Sequence, residues 1–152
     1  MIKPKLIVEE RLSVMMNTRI YKSVHGLAEQ LMAAASREDR AVFAHLYAQL
    51  EAVCVDNESS DKDHPVQWET LADFTEDLED AVAGYAKALD KSIVINSKDY
   101  MSSIAYSMAV LQVELGHIED AINNLKNAKI SANKIEDKTL KFEIDQLLES
   151  LL

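Results

Sequence analysis

The stretch 108-MAVLQVELGHIEDAINNLKNAK-129 decides the fold, because it predicts two helices joined by a very short turn. Its small residues fall at intervals of seven, five and seven: Ala109, Gly116, Ala121 and Ala128. Small side chains let two antiparallel helices cross closely, and a glycine lets the first helix end in a left-handed conformation. The stretch therefore predicts a tight helical hairpin.

The same stretch contains Glu114 and His117 at the E-x-x-H spacing of metal sites in helical bundles. Such a site needs a second E-x-x-H helix and two more inward carboxylates, and the other three histidines have no such partner. Because Gly116 ends the helix between them, we expect Glu114 and His117 to flank a turn. We predict no metal, no cofactor and no catalytic residue.

The composition predicts an all-α fold. Only three glycines and two prolines occur among 152 residues, and alanine, leucine, glutamate and lysine lose little rotamer freedom in a helix. Valine and isoleucine never alternate cleanly with polar residues, so no strand is predicted. This length suits one domain, and we predict a single helical domain over residues 1–152.

The net charge of −10 argues against polyanionic partners, because it repels phosphate backbones and anionic lipid surfaces. The lysines and arginines are scattered along the sequence, so we predict neither nucleic-acid nor membrane binding. The single cysteine, Cys54, lies in the apolar run LEAVCV and is expected to pack as a core residue. The N-terminal residues lack the pattern of a secretory signal, and we expect a cytoplasmic protein.

The first portion, residues 1–55, has the apolar spacing of helices. From Leu6 to Ala35 apolar residues recur every three or four positions, and Asn17-Thr18 leaves open one long helix or two short ones. This face comprises Leu12, Met16, Ile20, Val24, Leu27 with Ala28, Leu31 and Ala35. Ser36 and Asp39 predict a capped start for the next helix. That helix is expected to turn inward Val42, Phe43, Leu46, Tyr47, Leu50 and Val53.

Residues 56–65, DNESSDKDHP, predict an exposed loop. Its acidic residues lack the glycine and the final glutamate of an EF-hand, so we do not expect calcium binding. Pro65 suits the first position of a third helix. That helix is predicted to step along one face through Leu71, Phe74, Leu78, Ala81, Val82, Tyr85, Ala88 and Leu89.

Three more helices follow. Asn96-Ser97 predicts the cap of a fourth helix that runs to Leu115, and the fifth spans Ile118 to about Asn133. A last helix is predicted from about Asp137. Its apolar side comprises Leu140, Ile144, Leu147, Leu148 and Leu151.

Residues 102–135 resemble a tetratricopeptide repeat, through the small residues named above and the large residues Ile118, Ile122 and Leu125. The sequence departs from the family pattern at Gln112, Lys129 and Asn133. Upstream, AVAGYAKAL resembles the second helix of a degenerate repeat, although Ala81 and Ala121 are forty residues apart and not thirty-four. The resemblance implies antiparallel helical hairpins in a right-handed superhelix of six to seven helices. Residues 66–152 would form the repeat-like portion, with the C-terminal helix as its cap.

The resemblance also implies a function, because the first helices of such repeats line a peptide-binding groove. Carried onto this chain, the groove residues are Ser103, Tyr106, Ser107, Val110, Val113 and Glu114. They lack the Lys, Arg and Asn that clamp peptide carboxylates in this family, so a peptide with apolar anchors fits better. The groove is either open or covered by the C-terminal helix.

These observations predict a non-catalytic protein–protein interaction module that binds a protein or peptide, with a homodimer possible. The alternatives are a secretion-type or assembly chaperone and, last, a metal-binding helical-bundle enzyme.

Overall fold

Helices form all the regular structure in residues 17–152, which are the residues that this computed structural model describes. The helices are α1 (Thr18–Ser36), α2 (Arg40–Asn57), α3 (Pro65–Asp73), α4 (Leu78–Val94), α5 (Lys98–Glu114), α6 (Ile118–Ala132) and α7 (Lys138–Leu151). The all-α prediction is confirmed over this range, and the superhelical arrangement stays a prediction. The predictions for Leu6, Leu12 and Met16 lie outside the described residues. α1 itself begins after Asn17, whose Oδ1 accepts a hydrogen bond from the Ile20 N–H at 3.0 Å.

The chain divides into two compact units at Phe74 and Thr75. In the first unit α1 packs on α2, and α3 packs on both. Its buried cluster comprises Val24, Leu31, Ala34, Leu46 and Leu50. The rings of Phe43 and Phe74 meet edge to face beside this cluster, with centroids 6.4 Å apart. The helix at residues 65–73 therefore belongs to this unit, although the sequence groups it with the repeat-like portion.

Three of the connections between helices use one hydrogen-bonding scheme. At the α5–α6 turn, the His117 N–H donates to the Gln112 carbonyl at 2.8 Å and the Gly116 N–H to the Val113 carbonyl at 3.0 Å. These two bonds define a Schellman motif, in which the residue after the C-cap is left-handed. That residue is Gly116, with φ +81°, so its predicted role as a left-handed cap is confirmed.

The α1–α2 and α4–α5 turns repeat the scheme with Glu38 (φ 57°) and Asn96 (φ 52°) as the left-handed residues. In both turns the next residue caps the following helix. Asp39 Oδ1 accepts from the Val42 N–H at 3.2 Å, and Ser97 Oγ from the Tyr100 N–H at 3.3 Å. The prediction for Ser97 is confirmed.

The predicted cap at Ser36 is wrong. Ser36 is the last residue of α1, because the Schellman turn occupies the next two residues before Asp39 caps α2.

The second unit, residues 75–152, packs α4 on α5, α5 on α6 and α6 on α7. Short connections make consecutive helices antiparallel. Their N-cap residues are Asp77, Ser97, His117 and Asp137, each 20 residues after the one before. Alternate helices therefore start 40 residues apart, which differs from the thirty-four of a tetratricopeptide repeat. The family resemblance stays a prediction.

Burial in the second unit follows the same 40-residue spacing. Equivalent buried positions on α4 and α6 are Ala81 and Ala121, Tyr85 and Leu125, and Ala88 and Ala128. On α5 and α7 they are Ile104 and Ile144, and Met108 and Leu148. Ala109, Ala121 and Ala128 are fully buried in one cluster, as the small-residue spacing predicts. Ile118 was expected to pack with them, but it is 38 % exposed because it lies at the very start of α6.

The single helix predicted from Pro65 to Leu89 is wrong, although Pro65 does begin a helix. α3 ends at Asp73, and Asp77 starts α4 afresh, with its Oδ1 accepting from the Glu79 N–H at 3.3 Å. A carboxylate that caps a new N-terminus competes with continuation of the old helix. The apolar spacing continues across the break, so periodicity alone could not place it.

Candidate partner-binding groove

All six predicted groove residues lie on α5, the second helix of the second unit. Its other faces are buried through Ile104, Ala105, Met108 and Ala109. On the predicted face, Glu114 is exposed and the other five residues are half-buried. The structure thus brings these side chains to one helix and leaves each partly accessible.

The C-terminal helix α7 borders this face. Tyr106 and Val113 pack against the cluster that includes Ile144 and Leu148 of α7. The pKa of Tyr106 is raised, first by burial and then by the negative charge of Glu143 and a hydrogen bond to it. Because Glu143, Ile144 and Leu148 all lie on α7, Tyr106 forms part of the contact between α5 and α7.

The accessible part of the face is therefore narrower than the sequence implies. Ser103, Ser107 and Val110 follow one another at i, i+4 and i+7, which places them in one strip along the helix. Ser103 Oγ lies within 3.5 Å of the Tyr100 carbonyl of its own helix. Ser107 and Val110 are the centre of the strip, and Glu114 is at its end.

Glu114 and His117 lie on either side of the α5–α6 turn. Glu114 is the last residue of α5, and His117 is the N-cap position of α6, without a side-chain capping bond. The two residues are therefore not three positions apart on a continuous helix, as the E-x-x-H site requires. Within residues 17–152, no three His, Cys, Asp or Glu side chains come together in a group that could hold a metal ion.

A buried polar network at the start of α3 has no counterpart in the sequence predictions. His64 is only 3 % exposed, although residues 56–65 were expected to be an exposed loop; residues 59–62 are exposed as expected. The His64 Nδ1 accepts from the Val66 N–H at 3.1 Å, and the His64 N–H donates to Gln67 Oε1 at 3.2 Å. His64 and Gln67 thus form a capping box at the N-terminus of α3.

Further hydrogen bonds attach this network to the preceding segment. Gln67 Nε2 donates to the Lys62 carbonyl at 3.0 Å, and Trp68 Nε1 donates to Asp63 Oδ1 at 2.8 Å. The Cys54 thiol, which is buried as expected, donates to the Gln67 carbonyl at 3.2 Å. Each of these bonds joins α3 to α2 or to the segment between them.

Burial lowers the pKa of His64 to about 4, against an opposing attraction from Asp63. The imidazole is therefore neutral near pH 7, and because Nδ1 accepts a hydrogen bond, the proton lies on Nε2. The arrangement fixes the N-terminus of α3. One sequence signal could have located it: a histidine before proline, with glutamine three positions later, matches the spacing of a capping box.

Comparisons with known proteins add no family to these observations. No protein-family model matches the chain, and neither the curated proteins nor the solved structures give a significant match. Among the described residues, no helix has both the length and the apolar character needed to cross a membrane.

Proposed function

We propose that this chain is a non-catalytic protein–protein interaction module that binds a peptide segment along α5. One observation carries the proposal: α5 lies within a packed helical unit and yet keeps a strip of hydroxyl and apolar side chains partly accessible. Ser107 can exchange hydrogen bonds with a ligand, and Val110 can receive an apolar side chain. A helical or extended peptide with an apolar anchor suits such a strip.

The contact between α5 and α7 bounds the accessible strip on one side, which supports a groove with α7 along one edge. Tyr106 and Val113 pack toward α7, so they define the edge of the strip and are not its floor. A tetratricopeptide repeat would bind its ligand on its first helix, which corresponds to α5 here. The proposal therefore includes a tetratricopeptide-like module. A cytoplasmic location is part of the proposal, and the single cysteine, Cys54, a buried thiol that donates to the Gln67 carbonyl, agrees with it.

The test is affinity capture with quantitative comparison of the bound proteins. We expect Val110→Asp to reduce capture of the specific partner by at least about tenfold, since a carboxylate in an apolar contact costs more than about 1.4 kcal/mol. Val55→Asp is the matched control, because Val55 is an exposed valine in the first unit. Far-UV circular dichroism confirms that both variants are folded.

Tyr106→Phe distinguishes the contribution of residues at the α7 edge of the strip from that of Val110 at its centre. It removes only the hydroxyl that meets Glu143, so it should leave the apolar ring packed and change capture less than Val110→Asp does. If every captured protein survives Val110→Asp, the assignment of the groove is wrong.

A further inference from the structure

The charges of the second unit are segregated along its helix axes. Residues 75–152 contain eight lysines and no arginine, and the lysines are Lys87, Lys91, Lys98, Lys126, Lys129, Lys134, Lys138 and Lys141. All eight fall in residues 85–106 and 126–144. These are the later parts of α4 and α6 and the earlier parts of α5 and α7, which antiparallel packing brings to one end. We call this the lysine end.

The opposite end, residues 75–84, 107–125 and 145–152, contains nine carboxylates and no lysine. We call it the acid end. Its carboxylates are Glu76, Asp77, Glu79, Asp80, Glu114, Glu119, Asp120, Asp145 and Glu149. Asp145 lies at the boundary between the ends and pairs with Lys129 at 3.1 Å.

Large apolar side chains are exposed at the lysine end. Ile93, Val94, Ile130 and Phe142 are each between 53 % and 81 % exposed. The exposed residues Lys126, Lys134 and Lys138 belong to the same end. Large apolar groups exposed together mark a surface that another molecule covers, because they gain from leaving water, and the lysines of the same end select a partner of opposite charge.

The two ends act as separate charged surfaces. α5 has 17 residues and is therefore about 25 Å long. The Debye length is about 8 Å at physiological ionic strength, so one end is largely screened from the other. A partner close to the lysine end responds to the lysines there, despite the net charge of −10 for the whole chain.

We propose that two copies of this chain associate through their second units, with the lysine end of each against the acid end of the other. A two-fold axis makes both contacts at once, because the two units then lie side by side in opposite directions, and the assembly closes as a dimer. The exposed ion pairs set the orientation, and burial of the apolar side chains supplies most of the association free energy.

Charge complementarity favours a second copy over a polyanion. A nucleic acid or an anionic membrane that extended along the unit would meet the nine carboxylates of the acid end and be repelled there. A second copy places its own lysine end there, while its acid end, which carries no lysine, lies against the lysine end of the first copy. Glu114 belongs both to the acid end and to the groove on α5, so the dimer is tested with substitutions outside α5.

Complementary charge reversal tests the dimer. One variant carries Lys126→Glu with Lys134→Glu, and the other carries Glu119→Lys with Asp120→Lys; all four side chains are exposed. We expect the wild type to sediment as a dimer at low ionic strength. Each variant alone should have a dissociation constant raised by about tenfold or more, since attraction becomes repulsion at both contacts. An equimolar mixture should recover the wild-type constant as a heterodimer.

The matched control is Lys22→Glu with Lys62→Glu, which changes the net charge equally at two exposed lysines of the first unit. It should leave the dimer unchanged. A wild type that remains monomeric at low ionic strength overturns the proposal. So does a dimer that both reversals leave intact, or a mixture of the two variants that fails to re-associate.

Discussion

In residues 75–152 four helices of similar length follow one another at a regular spacing, and alanines and aliphatic side chains fill the space between them. Residues 17–74 contain an aliphatic cluster too. Their short helix α3, however, is held in place by hydrogen bonds in which His64, Gln67 and Trp68 take part. α3 has only nine residues, which is too short to be stable alone. The second unit thus depends mainly on packing, whereas the end of the first depends on a buried polar network.

This difference determines how each unit should respond to substitution and to pH. Packed aliphatic groups do not titrate, so the second unit should lose stability chiefly when volume is removed. The polar network contains an ionisable group that is buried in its neutral form, so the first unit should lose stability when protons are added.

Leu125→Ala should give the largest loss of stability. Leu125 is fully buried between α5, α6 and α7, and removal of such a side chain costs about 2–5 kcal/mol. Urea unfolding followed by far-UV circular dichroism measures the change. The matched control is Leu151→Ala, because Leu151 packs at the edge of the same cluster and is half-buried. If the control cost as much as Leu125→Ala, the packing cluster would not be centred where the structure places it.

The pH dependence of the first unit should be the next largest effect. The pKa of His64 is about 4 in the folded chain and about 6.5 when unfolded, so the unfolded chain binds more protons between these values. Stability should therefore fall by about 3 kcal/mol as pH decreases from about 6.5 to about 4, and not fall further from this group below that. Urea unfolding followed by fluorescence of Trp68, the single tryptophan, reports on this unit.

His64→Asn isolates the contribution of the imidazole from those of the many carboxylates. Asparagine does not titrate, and its side-chain oxygen can accept the same hydrogen bond at the N-terminus of α3. The difference in unfolding free energy between wild type and variant should therefore change across this pH window. A difference that stays constant from pH 7 to pH 4 would show that His64 is not buried as a neutral ring.

The sequence predicts the second unit better than the first for the same physical reason. Small residues at Ala109 and Ala121, a glycine at the turn and a serine cap are local signals, and the structure has each of them in the expected role. His64 is hydrogen-bonded to Gln67, and the Gln67 carbonyl accepts from Cys54 of α2; no window of apolar periodicity contains these hydrogen bonds. The break between Asp73 and Leu78 was missed because apolar spacing continues across it.

The groove also depends on contacts between distant parts of the chain, which the sequence alone does not show. The sequence places six residues on one helix, but only tertiary structure shows that Tyr106 meets Glu143 of α7, 37 positions later in the chain. Similarly, Gln112 departs from the apolar residue of the repeat pattern, and its Oε1 accepts from Asn124 Nδ2 at 2.7 Å across the α5–α6 contact. A polar residue can occupy such a buried position when a partner on the next helix satisfies it.

The smallest predicted effect concerns the Schellman turn, a type of turn that occurs in both units. Gly116 and Glu38 occupy the same left-handed position in their Schellman motifs, where an L side chain is strained by about 1–2 kcal/mol. Glu38→Gly in the first unit should therefore stabilise the chain by about 0.5–1 kcal/mol, after the greater freedom of glycine in the unfolded state is subtracted. Gly116→Ala in the second unit should destabilise it by a similar amount. A Cβ on Gly116 meets no atom within 4 Å beyond those of its two chain neighbours, so its cost comes from the backbone conformation. Thermal unfolding of the two variants beside wild type should thus give shifts of opposite sign, and shifts of the same sign would show that the two turns are not equivalent.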